Sequence, residues 1–167
     1  TLTLHDALPI SVLPPMLRSP PAYREFHQAD RIRLLKFVAL FGMGGTEKQV
    51  MNLAERLDRD RFDLSFGCLK LWGELLPELE RQQLSVAEYP LRSFHELNAF
   101  RQQRRLVTAL RRNRIQILHS YNFYANTFSI PAARFAGVPC VVASIRDMGA
   151  HMTPAQRWVQ KFMCRFA

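Results

Sequence analysis

Three groups of residues in this chain have types and spacings that could do chemistry. Gly42, Gly44 and Gly45 break an apolar run, and Thr46 and Glu47 follow at once at the head of a helical pattern. A helix entered this way presents backbone N–H groups with no partner inside the helix, at the positive end of its dipole. That suits a phosphate or a carboxylate, so Gly44, Gly45 and Thr46 are the expected anion-binding residues. The second group is His119, Tyr121 and Asn122: an imidazole, a phenol and an amide, each able to donate and accept hydrogen bonds. The third is Arg146 with Asp147 beside it. Arginine cannot act as a base, but it can pair with phosphate or with a carboxylate, unless Asp147 takes it first.

Each group has a plainer reading. Glycines also serve an ordinary strand-to-helix turn through their freedom at positive φ. Glu47 stabilises the helix dipole as readily as it would contact a ligand. A histidine at the end of a strand is often packed and hydrogen-bonded only. The turn itself fails two known phosphate loops. A dinucleotide fingerprint needs glycine where Glu47 stands and an acid at the end of the second strand, where Cys68, Leu69, Lys70 and Leu71 offer none. A P-loop needs Gly-Lys-Ser/Thr, which is absent from the turn. A dehydrogenase domain is therefore disfavoured.

The elements that must position these residues alternate. Strands are expected at 32–41, 62–69, 84–89, 115–119 and 140–145. Helices are expected at 46–57, 74–83 and 98–112, with another bent or restarted at Pro131 and closed by Gly137. In the first helix Val50, Leu53, Ala54 and Leu57 share a face; in the third, Leu106, Val107 and Leu110 point inward. Nearly apolar strands separated by helices predict an α/β fold, a Rossmann-like doubly wound parallel sheet with helices on both faces. Ligands in such sheets sit outside the carboxyl ends of the strands, here 41–45, 69–71, 119–122 and 144–149.

Thr153 and Pro154 form a helix start, and Ala155, Trp158, Val159, Phe162, Met163 and Phe166 then repeat at helical spacing. The pattern is still running at Ala167, from which the natural chain is expected to continue. At the other end, residues 4–10 (LHDALPI) equal one translated frame of a common sequencing adapter. Residues 1–11 are therefore set aside as an artefact, and residues 12–30, with four prolines, as an unstructured leader, leaving 31–167 as the domain.

The chain has 167 residues, 48% hydrophobic, enough for one α/β domain. Its formal charge of +9 fits solubility, nucleic acid, an anionic membrane face or phosphorylated substrates. The arginine-rich stretch Arg101, Arg104, Arg105, Arg111 and Arg112 reads either as a solvated helix face or as a peripheral membrane contact. Nucleic acid is disfavoured, because that face has no interleaved aromatics and no reading motif. Cys68, Cys140 and Cys164 are widely spaced, the first two in apolar strands, so they read as small buried residues; no metal site is expected.

Three passages carry a resemblance. Gly44-Gly45-x-Glu47 after a first strand resembles the first loop of family-4 glycosyltransferases of the GT-B fold. Residues 115–120 (IQILHS) are similar to the strand of that family that ends in histidine and faces the cleft, and residues 132–142 (AARFAGVPCVV) to its helix–Gly–Val–Pro–strand passage. The likeness spans 32–167. It implies the N-terminal, acceptor-side domain of a retaining enzyme that moves a sugar from a nucleotide-sugar to a glycan or lipid-linked acceptor, needing no cofactor beyond that co-substrate. It further implies that Gly44, Gly45 and Thr46 meet the donor diphosphate, that Glu47, Tyr121 and Asn122 meet the acceptor, and that His119 and Arg146 lie near the reacting sugar. Many family members have histidine at the position of Arg146, so any imidazole role there is lost. The implied partner is a C-terminal domain beyond Ala167, without which this polypeptide is expected to be inactive. The implied place is the cytoplasm or the inner membrane face, in cell-envelope polysaccharide synthesis. The competing class is a non-catalytic Rossmann-like binding or regulatory domain.

Overall fold

The structure is a computed structural model and describes residues 31–91, 97–146 and 152–167. The artefact and leader readings for residues 1–30, and Asp147 as a partner of Arg146, lie outside the described residues. The elements run β1 (Ile32–Val38), α1 (Gly45–Glu55), β2 (Phe62–Cys68), α2 (Leu76–Arg81), β3 (Val86–Glu88), α3 (Leu97–Arg112), β4 (Ile117–Tyr121), α4 (Asn122–Ala136), β5 (Cys140–Ser144) and α5 (Pro154–Met163), with a closing 3-10 turn (Cys164–Phe166).

All four strand pairings are parallel, in the order β3-β2-β1-β4-β5. This is the Rossmann-like doubly wound sheet the alternation predicts. The chain moves outward from β1 to β3, then crosses back to place β4 on the other side of β1. The strand order therefore reverses between β1 and β4, where such a sheet opens a crevice at its carboxyl edge.

Alternation along the strands divides the core. Leu34, Val38, Leu64 and Phe66 pack with Val50, Met51 and Ala54 of α1 and Leu79 of α2. Leu35, Phe37, Leu118 and Val141 face the other way, into Leu106 and Leu110 of α3 and Phe128, Ala132 and Ala133 of α4. Phe37 sits between Phe128 and Tyr89, with ring centroids 5.6 and 5.8 Å away. Burying each such side chain contributes about 2–3 kcal/mol.

Several expectations need correction. β1 ends at Val38 because Phe41 leaves the ladder: its N–H donates to the Trp72 carbonyl at 2.8 Å. In α1 the inward position falls to Met51, while Leu53 is 43% exposed. α4 runs unbroken through Pro131 to Gly137, whose φ of 80° closes it with a left-handed cap. Cys140 is exposed. It starts the edge strand, on the face where α1 and α2 lie against the β1 and β2 side of the sheet, and nothing among the described residues buries it. For the same reason Val142 is 38% exposed, so the helices cover that face incompletely.

Candidate functional site

α1 begins as the glycine turn suggested. Gly44 is its N-cap, in extended backbone and with no side chain to cap the helix; the first intrahelical bond is from the Lys48 N–H to the Gly44 carbonyl, at 3.0 Å. The N–H groups of Gly45, Thr46 and Glu47 precede that bond and so have no acceptor within the helix. Gly44 and Gly45 are exposed. The Glu47 carboxylate folds back over the turn, so close that a Cβ on Gly44 would meet its Oε2 at 2.2 Å. A carboxylate thus already rests at the positive end of this helix, which is the charge such a site favours.

The turn is held by a neighbour that sequence reasoning overlooked. The segment after β2 lies against it: Lys70 N–H donates to the Ala39 carbonyl (3.0 Å), and Leu75 N–H to the Phe41 carbonyl (3.0 Å). Gly73 makes this contact possible. Its φ is +130°, and a Cβ there would lie 2.1 Å from the Phe41 carbonyl carbon and oxygen. The signal was present as a lone glycine after Trp72, but nothing local says what approaches it.

β4 carries the second group, two residues further along than expected. His119 lies inside the strand, Tyr121 is its last residue, and α4 begins at Asn122 without a loop between. Asn122 has φ 63°, a conformation asparagine tolerates better than most side chains. From there its amide ties the start of α1 to the end of β5. Its Nδ2 donates to Thr46 Oγ1 (3.3 Å), and its Oδ1 accepts from the Arg146 backbone N–H (2.9 Å). Gly45, Thr46, Asn122 and Arg146 are thereby gathered at the point where strand order reverses.

His119 makes two hydrogen bonds, Nε2 with Ser144 Oγ at 2.8 Å and Nδ1 with Tyr121 Oη at 3.0 Å, and it stacks on the Tyr121 ring. Burial, with repulsion from Lys36 and Arg146, lowers its pKa to about 4, so the imidazole is neutral at pH 7. Burial raises the Tyr121 phenol to about 12, and it stays protonated. Neither group is an acid or base poised near neutrality, and Tyr121, only 2% exposed, is a buried partner of His119 rather than the acceptor contact expected of it.

Lys36 and Ser144 were missed. Lys36 sits in an apolar run as the sheet partner of His119, is 3% exposed, and donates to the Val50 carbonyl of α1 at 3.3 Å. Burial, then the Arg59 charge, lowers its pKa to about 8, so it remains mostly cationic beneath the site. A single lysine inside LLKFV was the available signal. Ser144 becomes visible only once β5 is set beside β4 in register, pairing it with Tyr121.

The family model for Glycosyltransferase Family 4 matches residues 43–167. No curated protein sequence matches the chain. Among solved structures it is similar to HepE of Anabaena, crystallised with UDP and glucose, at 19% identity and TM-score 0.67, over 82% of this chain and 36% of that one. It is similar also to MurG of Acinetobacter baumannii (14%, TM-score 0.63, 81% and 39%). A third is the apo lipopolysaccharide outer core galactosyltransferase WaaB (11%, TM-score 0.56, 77% and 37%). These likenesses show the fold, and the chain spans less than two-fifths of the length of each.

Proposed function

The chain belongs to glycosyltransferase family 4, and on that premise we propose that it is the N-terminal, acceptor-side half of a retaining hexosyltransferase. The donor is a nucleotide-sugar, and the acceptor a glycan or lipid-linked glycan of the cell envelope. A second GT-B domain holds most of the donor, and no metal takes part. Gly44, Gly45 and Thr46 direct N–H groups at the donor diphosphate when the two halves close, opposing the charge that builds on the departing phosphate. Arg146 adds a permanent cation at the same edge. Glu47 and Asn122 line the acceptor side, and Tyr121, buried behind them, acts on it through His119. His119, whose two nitrogens are taken up by Ser144 and Tyr121, orients those hydroxyls near the reacting sugar.

The observation that carries this reading is the Asn122 brace. It brings the open end of α1 together with the ends of β4 and β5, which supports one crevice for the diphosphate and the sugar. The complex of HepE with UDP and glucose, on a similar fold, is consistent with that use.

A transfer assay tests it. The 167-residue polypeptide alone is expected to release no sugar from UDP-, GDP- or ADP-sugars, whereas a protein that joins it to a donor-binding half transfers. Turnover by the polypeptide alone would contradict the two-domain reading.

A further inference from the structure

The segment after β2 carries a tryptophan that the fold leaves largely in solvent. Trp72 is 53% exposed, although an indole offers more apolar area to bury than almost any other side chain. Its backbone, by contrast, is fully engaged. The Trp72 carbonyl accepts from the Phe41 N–H at 2.8 Å, and its own N–H donates to the Lys70 carbonyl at 2.9 Å. On one side of it the Leu71 N–H donates to Glu88 Oε1 at 2.8 Å; on the other, Gly73 presses on the Phe41 carbonyl. A half-exposed ring on so firmly held a loop is ordered in advance, and little freedom is lost when a ligand packs on it.

The surroundings of the ring suit a sugar. Lys70 Nζ lies over the indole, 5.6 Å from its centroid, and so steadies one face. The Glu88 carboxylate is drawn to the same loop by the Leu71 N–H. Neither Lys70 nor Glu88 is in an ion pair among the described residues. An ammonium offers only donors and a carboxylate only acceptors, and a sugar hydroxyl can meet either. The loop also stands at the carboxyl edge of the sheet, where ligands of such folds lie. Phe41, which holds the Trp72 carbonyl, stands three residues before Gly44. Their Cα atoms are therefore at most about 11 Å apart, and an oligosaccharide that ends in the crevice can reach the ring.

We propose that Trp72 is the stacking platform for one hexose ring of the acceptor, with Glu88 and Lys70 meeting its hydroxyl groups. The hexose is one whose C–H bonds gather on a face of the ring, as in β-linked glucose or galactose. That face lies on the indole, and the hydroxyls around its margin turn to the two charges. Choosing a sugar over a nucleobase rests on the acceptor-side reading of this half. Sugar binding requires no turnover, however, so either can fail alone.

Saturation-transfer NMR of cellobiose and of lactose with the 167-residue chain tests the proposal. At least one of the two should receive saturation, most strongly at the ring C–H protons of one face. Trp72→Ala should weaken that binding about tenfold, whereas Trp72→Phe should keep most of it. Glu88→Gln should weaken it about threefold, since its amide oxygen still accepts from the Leu71 N–H but carries no charge. Trp158→Phe, at the chain's other tryptophan on α5, should change nothing. Trp72→Phe and Glu88→Gln keep the hydrogen bonds of the loop, so they read the site even where Trp72→Ala loosens it. Saturation of neither disaccharide, undiminished binding by Trp72→Ala, or an equal loss in Trp158→Phe would overturn the proposal. So would a Trp72-dependent contact with the uracil ring of UDP and none with the sugars. Sugar binding through Trp72 without transfer by the protein joined to a donor-binding half would overturn the transfer reading alone; transfer without sugar binding would overturn the stacking site alone.

Discussion

α1 and α2 lie on one side of the sheet, within a segment whose charges cancel; α3, α4 and α5 lie on the other, within one that is almost wholly basic. The first side makes its demands on the backbone: an uncapped helix start at Gly44, and Gly73 pressed against the Phe41 carbonyl. The second is built from volume, with Phe37, Tyr89 and Phe128 packed together beneath arginine-coated helices. Stability is concentrated on the second side and site geometry on the first, and substitutions should separate them.

The largest effect belongs to the packed side. Phe128→Ala removes a fully buried ring shared with Phe37 and Tyr89 and should cost about 4 kcal/mol in urea unfolding. Ligand contacts at Gly44 and Gly45 should survive in whatever remains folded. A cost under about 1 kcal/mol would show that this cluster does not hold the sheet.

Acid comes next, and it acts through the site. Folding depresses His119 from an ordinary 6.5 to about 4, so on acidification the unfolded chain takes up the proton first. The stability this neutral histidine confers is complete above about pH 6.5 and is lost as pH falls from 6.5 towards 4, by up to about 3 kcal/mol. Unfolding curves at pH 7 and pH 4.5 should differ more for the wild type than for His119→Asn, which shares its carboxylates. Equal differences would mean that the imidazole is not held neutral.

Gly73→Ala should cost less, about 2 kcal/mol, since the strain is confined to one segment. Unlike Phe128→Ala, it should shift the amide resonances of residues 39–46, because the segment after β2 fastens that turn. Unshifted resonances would break the link between Gly73 and the site.

Much of this division could be read in advance. Elements whose signal is local emerged in order: the glycine turn into α1, the Gly137 cap, and the Thr153–Pro154 start of α5, which forms a full capping box with Gln156. Features that depend on which strands become neighbours did not. Ser144 meets His119 only through the β4–β5 register, and Cys140 is exposed because its strand lies at the sheet edge. Gly73 matters for a contact some thirty residues back along the chain, which the lone glycine after Trp72 does not identify. The two-residue shift of β4 moved His119 from the strand end into the strand, where Lys36 and burial govern its proton.

The central claim is that the open end of α1 holds the donor diphosphate. Gly45 is the first residue of that helix, follows extended backbone at Gly44, and has open space around its Cβ position. Proline fits such a position and removes its one N–H without disturbing the helix. Titrating UDP into the labelled chain, wild type and Gly45→Pro, and following backbone amides by NMR is the most direct measurement. The account predicts weak binding that shifts Gly44, Gly45 and Thr46 in the wild type, and roughly tenfold weaker binding in Gly45→Pro at unchanged melting temperature. Shifts centred elsewhere, or undiminished binding by Gly45→Pro, would contradict it.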